Sequence, residues 1–116
     1  MINSFAVAAA QAVAEEPGVY NPLYLYGGTE ADRKMIARGL ADELMKRYGG
    51  KKNATILVED IHLIEGDKAA LERFFAVFDG MAESSAQIVI SGDRPTIEFK
   101  DPELRARLEA GLIANI

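Results

Sequence analysis

The chain has 116 residues, which is enough for one domain with a single hydrophobic core and no covalent staples. It contains no cysteine and one histidine, His62, which excludes disulfides, thiolate metal sites and histidine metal clusters. The net charge of −5 argues against a nucleic-acid surface, and no apolar run reaches the roughly 18 residues that would cross a membrane. We therefore expect no nucleic-acid partner, no membrane partner and no bound metal.

Strands and helices alternate along the chain. The predicted elements are a helix to about Glu16, a strand over 23–26, a helix from about Glu30 to Tyr48, a strand over 55–59, a helix from about Asp67 to Ala82, a strand over 87–91, a short helix near 101–110 and a strand over 111–116. Asn3 or Ser4 can cap the first helix, and Pro17-Gly18 and Gly49-Gly50 end the first two helices. Alternation of this kind predicts a parallel sheet with helices on both faces, a three-layer α/β/α fold.

Two of these elements have patterns that predict their burial. The strand over 55–59 (TILVE) is apolar throughout its centre, as expected of a strand covered on both faces. The second helix has apolar side chains at helical spacing, which predicts the stripe that faces the core. That stripe comprises Met35, Ile36, Leu40, Leu44, Met45 and Tyr48.

The segment YLYGGTEADRKM (24–35) runs from a strand through Gly27-Gly28 into a helix. A phosphate-binding loop belongs at such a place, but it needs a further glycine for backbone approach and a hydroxyl for Mg²⁺. Thr29 instead fits a helix N-cap, with Asp32 as a short capping-box acid and Glu30 in the first turn. These carboxylates stabilise the helix start and would repel a triphosphate. We predict that this loop caps its own helix, with weak residual nucleotide binding as the alternative.

Five segments resemble the AAA+ domain of the DnaA family, the bacterial chromosomal replication initiators. They are NSFAVAAAQAVAEEPGVYNPLYLYGG, ILVEDIHLIEG, FFAVFDGM, QIVISGDRP and LRARLEAGLIANI, in the family's order. The resemblance implies a P-loop NTPase fold, ATP or ADP with Mg²⁺ as the cofactor, and a cytoplasmic location.

The resemblance also implies roles for individual residues. Val19, Tyr20 and Asn21 would border the adenine, and the phosphate loop would hold Gly27, Gly28, Arg33 and Lys34. Glu59 and Asp60 match the Walker B acids, with Glu59 aiding Mg²⁺ and Asp60 helping to position the attacking water. Asp93 matches the sensor I position, and Arg107 matches the arginine finger offered to a neighbouring subunit.

Three departures from the family pattern weaken these roles. Asp32, Arg33 and Lys34 stand where glycine, lysine and threonine should be, and a shift of one residue does not restore the motif. One strand-helix unit between the second helix and the Walker B strand is missing. The helical lid and the helix-turn-helix DNA-binding domain are also missing, so we expect residues 1–116 to form a single minimal core.

The missing unit predicts the strand order. The family arranges its core strands in the order five-one-four-three-two, and the missing unit contains edge strand two. We therefore predict a four-stranded parallel sheet in which 23–26 and 87–91 are central neighbours. The strands 111–116 and 55–59 would then lie at the edges, joined by right-handed crossovers.

Without a phosphate donor, the matched residues have simpler structural explanations. We expect Glu59 and Asp60 to cap the following loop and Asp93-Arg94 to form a local ion pair. The remaining residues are expected to be structural: Arg105 and Arg107 on a solvated helix face, His62 in packing, and Tyr20, Tyr24 and Tyr26 as core or edge aromatics.

A coordinated set of changes of this kind suggests engineering. Our leading interpretation is a designed or simplified protein derived from a DnaA-type core, with no catalytic residues, no enzymatic activity and no cofactor. One alternative is a minimal domain that still binds ATP or ADP weakly. Another is a degenerate partner that docks on an intact AAA+ subunit through Arg107. We expect a monomer that could self-associate through an exposed sheet edge, cytoplasmic unless the sequence is synthetic.

Overall fold

The computed structural model describes residues 2–49, 54–84 and 86–116. The helices are α1 (Ser4–Glu15), α2 (Glu30–Tyr48), α3 (Lys68–Glu83) and α4 (Pro102–Leu108), and the strands are β1 (Leu23–Tyr26), β2 (Thr55–Val58), β3 (Gln87–Gly92) and β4 (Leu112–Asn115). Two 3-10 turns, Ile61–Ile64 and Thr96–Glu98, follow β2 and β3. The element order and type are as predicted. No helix among the described residues is long and apolar enough to cross a membrane.

The four strands form one parallel sheet in the order β2-β3-β1-β4. Leu23 pairs with Val89 on one side and with Leu112 on the other, which fixes β1 at the centre. The predicted strand order is therefore confirmed, with β2 and β4 at the two edges. Parallel strands end at the same border of the sheet, so the loops that follow β1, β2 and β3 are brought together there.

Helices cover both faces of the sheet, and each face has its own apolar cluster. Leu23 and Leu25 of β1 contribute to the cluster under α1 and α2, while Tyr24 points into the cluster under α3 and α4. The central strands β1 and β3 are almost entirely buried. The edge strand β2 packs against both clusters, with Leu57 against the first and Val58 against the second, so both of its faces are covered. All four of its residues nevertheless remain partly exposed, because the strand lies at the edge of the sheet. The apolar sequence of β2 is typical of strands in parallel sheets and does not reveal that this strand lies at the edge.

The buried face of α2 differs from the predicted stripe. Met35 and Met45 are 60% and 68% exposed, whereas Arg33 and Ala37 are buried with Leu40 and Leu44. These four buried positions recur at intervals of four, three and four residues, which is a helical face. Met35 and Met45 lie off that face. Arg33 is therefore a charged residue on the buried face of a helix, which makes it a candidate functional position.

Candidate functional site

The start of α2 has the predicted cap. The Thr29 hydroxyl accepts a hydrogen bond from the Asp32 backbone N–H at 3.0 Å. No return bond from the Asp32 carboxylate to Thr29 is present among the described residues, so only half of the capping box forms. Glu30 instead pairs with Lys34 at 2.7 Å, and this hydrogen bond lowers the pKa of Glu30. Lys34, the candidate P-loop lysine after a one-residue shift, is thus held on the outside of its own helix.

The glycine turn before this cap is committed to the protein's own backbone. Gly27 and Gly28 have φ angles of +85° and +59°, a region that favours glycine. A Cβ atom on Gly27 would lie 2.6 Å from the Asn115 side-chain oxygen, so that exposed side chain would have to move. The Gly27 N–H donates to the Gly92 carbonyl at 3.2 Å. This N–H is therefore not available to a phosphate.

Arg33 fills the space inside the turn. It is only 7% exposed, and its Nη1 donates to the carbonyl oxygens of Gly27 and Gly28 at 3.0 and 3.2 Å. Its Nη2 lies 3.8 Å from the Asp60 carboxylate, while its buried Nε has no hydrogen-bond partner in the described part of the chain. The burial of Arg33 is not predicted from the sequence, where the residue falls in the segment matched to a phosphate loop. The helical spacing of Arg33 with Ala37, Leu40 and Leu44 is the sequence signal that indicates its burial.

The two Walker B positions pair with arginines of α2. Glu59 accepts two hydrogen bonds from Arg38, at 2.7 and 3.1 Å, and the Arg38 bond holds the pKa of Glu59 below its usual value. Asp60 faces Arg33 and has a φ of 56°, a left-handed conformation that Asp tolerates better than most residues. Neither carboxylate caps the following turn, because Asp60 makes no side-chain cap bond to it. The prediction of loop caps is wrong, since the arginines provide closer partners.

Asp93 forms the predicted local ion pair. Its two carboxylate oxygens accept from Arg94 at 2.6 and 3.2 Å, and this bonding lowers the pKa of Asp93. The Asp93 backbone N–H donates to Nδ1 of His62 at 3.1 Å. His62 therefore joins the turn after β2 to the end of β3. This half-buried structural role agrees with the packing histidine expected from the sequence.

Arg107 is not on a solvated face. Its guanidinium makes two hydrogen bonds to Asp79 of α3, at 3.0 and 2.9 Å, and lies 4.1 Å from the centre of the Phe75 ring. The Asp79 pKa is lowered by this bonding. Arg105 likewise donates to the Phe99 carbonyl. The prediction of solvated arginines is wrong because both side chains bond to acceptors within the chain. Arg107, the residue that the resemblance matched to an arginine finger, is thus bonded to Asp79.

The segment before β1 is fixed to β3 by side-chain amides. Asn21 donates to the Ala86 carbonyl at 2.6 Å and accepts from the Ile88 N–H at 2.8 Å. The buried Gln87, which the sequence analysis did not single out, accepts from Gly18 and donates to the Tyr20 carbonyl. Both amides are therefore used in holding the segment, and Asn21 has a structural explanation.

The three tyrosines near β1 differ in burial. Tyr24 is fully buried and Tyr26 is half-buried, as expected of core or edge aromatics. Tyr20 and Val19 are 38% and 61% exposed, so Tyr20 is a surface residue. Within residues 2–49, 54–84 and 86–116, no group of three or more metal-binding side chains comes together.

The family model of the bacterial DnaA ATPase domain matches residues 30–115 of this chain. The chromosomal replication initiator DnaA of Thermus thermophilus is 33% identical over 148 aligned positions, and that of Deinococcus radiodurans is 32% identical over 148. Each alignment covers 98% of this chain, which spans about a third of either relative's length. Because the alignments are longer than the chain, the relatives contain positions that this chain lacks.

Solved DnaA structures share the fold. AMPPCP-bound DnaA from Aquifex aeolicus superposes with a TM-score of 0.86 at 18% identity, covering 100% of this chain and 48% of that one. Domain III of Thermotoga maritima DnaA gives 0.85 at 23% identity, covering 98% and 62%. A DnaA bound to AMPPCP and single-stranded DNA gives 0.86 at 19% identity, covering 98% and 46%.

The last of these structures corrects the expectation of no nucleic-acid partner. A DnaA with this fold holds single-stranded DNA, so the exclusion drawn from net charge is wrong. Net charge sums over the whole chain, whereas a nucleic-acid contact depends on the charges of one surface. A moderately acidic total therefore excludes no such contact.

Proposed function

We propose, from the premise that this chain belongs to the bacterial DnaA ATPase domain family, that it is a non-catalytic AAA+ core whose phosphate loop is closed by its own arginine. The observation that carries the proposal is the position of Arg33. Its guanidinium lies on the Gly27 and Gly28 carbonyls inside the loop where a phosphate would have to enter. The buried guanidinium occupies the space that a phosphate would need. It also holds the Gly27 and Gly28 carbonyl oxygens toward the inside of the loop, where a phosphate would need N–H donors.

The remaining parts of an ATP site are also engaged. Phosphate binding by a P-loop needs backbone N–H donors, a lysine and an Mg²⁺ ligand. Here the Gly27 N–H bonds to Gly92, Lys34 bonds to Glu30, and Glu59 bonds to Arg38. The residues present do not fit Mg-ATP, so no hydrolytic step is assigned to them. We expect no ATP, ADP or Mg²⁺ as a resident cofactor.

The two alternatives require these contacts to break. Weak ATP or ADP binding would need Arg33 to leave a buried position. Docking on an intact AAA+ subunit through Arg107 would need that side chain to leave Asp79 and Phe75. A simplified or engineered derivative of the family fold accounts together for the cap, the enclosed arginine and the positions that the relatives have and this chain lacks. A cytoplasmic location follows if the chain acts where replication initiators act.

Calorimetric titration with Mg-ATP tests the proposal, with AMPPCP binding to Aquifex aeolicus DnaA as the positive control. We expect no binding heat and an unchanged melting temperature at millimolar Mg-ATP, Mg-ADP or AMPPCP. A ligand that binds the folded state at a hundredfold excess over its Kd would add about 2.7 kcal/mol of stability. A reproducible upward shift of several degrees would therefore establish nucleotide binding and reject the proposal.

A further inference from the structure

We propose that the Gly27–Gly28 turn and Asp60 form a cradle for guanidinium-class cations, which Arg33 fills from within the chain. The inference rests on the proposed function, because it explains why the loop rejects a triphosphate. It goes beyond the proposed function because it assigns this cradle a cationic ligand, whereas a phosphate loop binds an anion.

The polarity of the turn carries the argument. Two carbonyl oxygens, from Gly27 and Gly28, converge on one nitrogen of Arg33 at 3.0 and 3.2 Å, and a carboxylate oxygen of Asp60 lies 3.8 Å from another. All three groups are acceptors, and none can donate to an anion. The N–H of Gly27 points away, to Gly92. A site lined by two carbonyls and a carboxylate selects a cation with several N–H donors.

The position of the cation within the helix strengthens this argument. Arg33 lies in the first turn and a half of α2, where the partial positive charge of a helix N-terminus opposes a cation. A charged side chain that is 8% exposed needs compensation by partners nearby. The carbonyls and Asp60 are the partners that supply it. The cradle therefore stabilises a positive charge at a place where the helix alone would not.

The shape of the cradle favours a planar cation over an ammonium. The carbonyl oxygens bond one terminal nitrogen of the guanidinium and Asp60 lies near the other, so the cradle faces both arms of a planar fork, whereas an ammonium presents a single nitrogen. The buried Nε of Arg33, the nitrogen that joins the guanidinium to its side-chain stem, has no partner among the described residues. A free guanidinium ion carries no such tether. The cradle should therefore accept it once the side chain is removed.

Chemical rescue of Arg33→Ala tests this. We expect 20–50 mM guanidinium chloride, far below denaturing concentrations, to raise the melting temperature of this variant by about 2–4 °C relative to equimolar NaCl. Urea, which is planar and of similar size but neutral, should give no increase. The parent chain, with its cradle filled, and Arg38→Ala, which loses a surface pair with Glu59, are the matched controls and should show no rescue.

Other outcomes would reject the inference. Stabilisation of Arg33→Ala by phosphate or Mg-ATP but not by guanidinium would mean that the loop is still an anion site, while the proposed function of the parent chain would stand. Equal responses to guanidinium in Arg33→Ala and Arg38→Ala would mean a non-specific effect. The double variant Arg33→Ala/Asp60→Asn should lose the rescue, and retention of full rescue would count against the cradle. If Arg33→Ala does not fold in NaCl, Arg33→Met retains most of the buried stem and must show the same rescue.

Discussion

At the scale of single residues, Arg33 decides how this loop behaves. A lysine in a phosphate loop holds a point charge on a flexible stem, whereas arginine presents a rigid fork of donors. That fork donates to the Gly27 and Gly28 carbonyls and lies near Asp60, so the positive charge of Arg33 is compensated by acceptors within the chain. The sequence predicts the cap at Thr29 because capping depends on local spacing. It does not predict the course of a long buried side chain, because that depends on tertiary partners.

The Thr29 cap gives a direct test at this scale. Thr29→Ala should lower the free energy of unfolding by about 0.5–2 kcal/mol, because the Asp32 N–H loses its acceptor. Thr29→Ser retains the hydroxyl and should recover most of this loss. Urea unfolding followed by circular dichroism measures both variants. Equal stability of the alanine and serine variants would contradict the capping role.

Tyr24 gives a test at high pH. It is fully buried, and its hydroxyl donates to the Arg94 carbonyl at 2.6 Å. Burial, reinforced by the charge of Asp93, raises the Tyr24 pKa well above its usual value. A raised folded-state pKa gives stability that is complete below the unfolded value near 10 and is lost as the pH rises. We expect urea midpoints to fall between pH 9 and 11, and less steeply in Tyr24→Phe. Parallel curves for the two proteins would remove Tyr24 as the cause.

At the scale of elements, α2 connects the Gly27–Gly28 turn to the two acidic residues that follow β2. Arg33 and Arg38 lie five positions apart on this helix and face Asp60 and Glu59, respectively, at the end of β2. The sequence predicts the start and end of α2 because its cap and its terminal glycines are local signals. The predicted apolar stripe is wrong at Met35 and Met45, because hydrophobicity alone assigned them to the core and left Arg33 outside it. A prediction that assigns only apolar residues to the core misses a charged residue such as Arg33, which is buried together with its hydrogen-bond and ion-pair partners.

Rebuilding the loop tests this helix as a unit. The triple change Asp32→Gly, Arg33→Lys and Lys34→Thr restores the glycine, lysine and hydroxyl of a phosphate loop. It should lower stability, because glycine loosens the helix start, a first-turn acid is lost and the guanidinium leaves its acceptors. It should also raise ATP affinity, measured by calorimetry. Arg38→Lys, on the same helix but outside the loop, is the matched control and should not raise it. A rebuilt loop that is as stable as the parent and binds ATP no better would reject both the cap and the closed loop.

At the scale of the whole molecule, the sheet order follows from which elements the chain has. The alternation of strands and helices predicts a parallel sheet, and the resemblance to the DnaA family predicts the order β2-β3-β1-β4 that the structure has. The half-exposure of β2 depends on its position at the edge, and its apolar sequence does not reveal it. Net charge was the least informative whole-chain quantity. It predicted no nucleic-acid partner for a fold in which a DnaA structure holds single-stranded DNA.

The charges of the molecule predict how its stability depends on acid. Hydrogen bonds from Lys34, Arg38, Arg107 and Arg94 lower the pKa values of four carboxyl groups: Glu30, Glu59, Asp79 and Asp93. A lowered folded-state pKa means that the unfolded chain binds protons first as the pH falls, so the free energy of unfolding decreases. The stabilisation should be complete above the pKa values of these groups in the unfolded chain, near 4, and should be lost below them.

Urea unfolding at pH 7, 5 and 3 tests this dependence on acid. The midpoints at pH 7 and pH 5 should be similar, and the midpoint at pH 3 should be lower. Asp79→Asn, which removes one exposed pair, should make the decrease smaller. A midpoint at pH 3 equal to that at pH 7 would mean that these pairs contribute nothing to the fold.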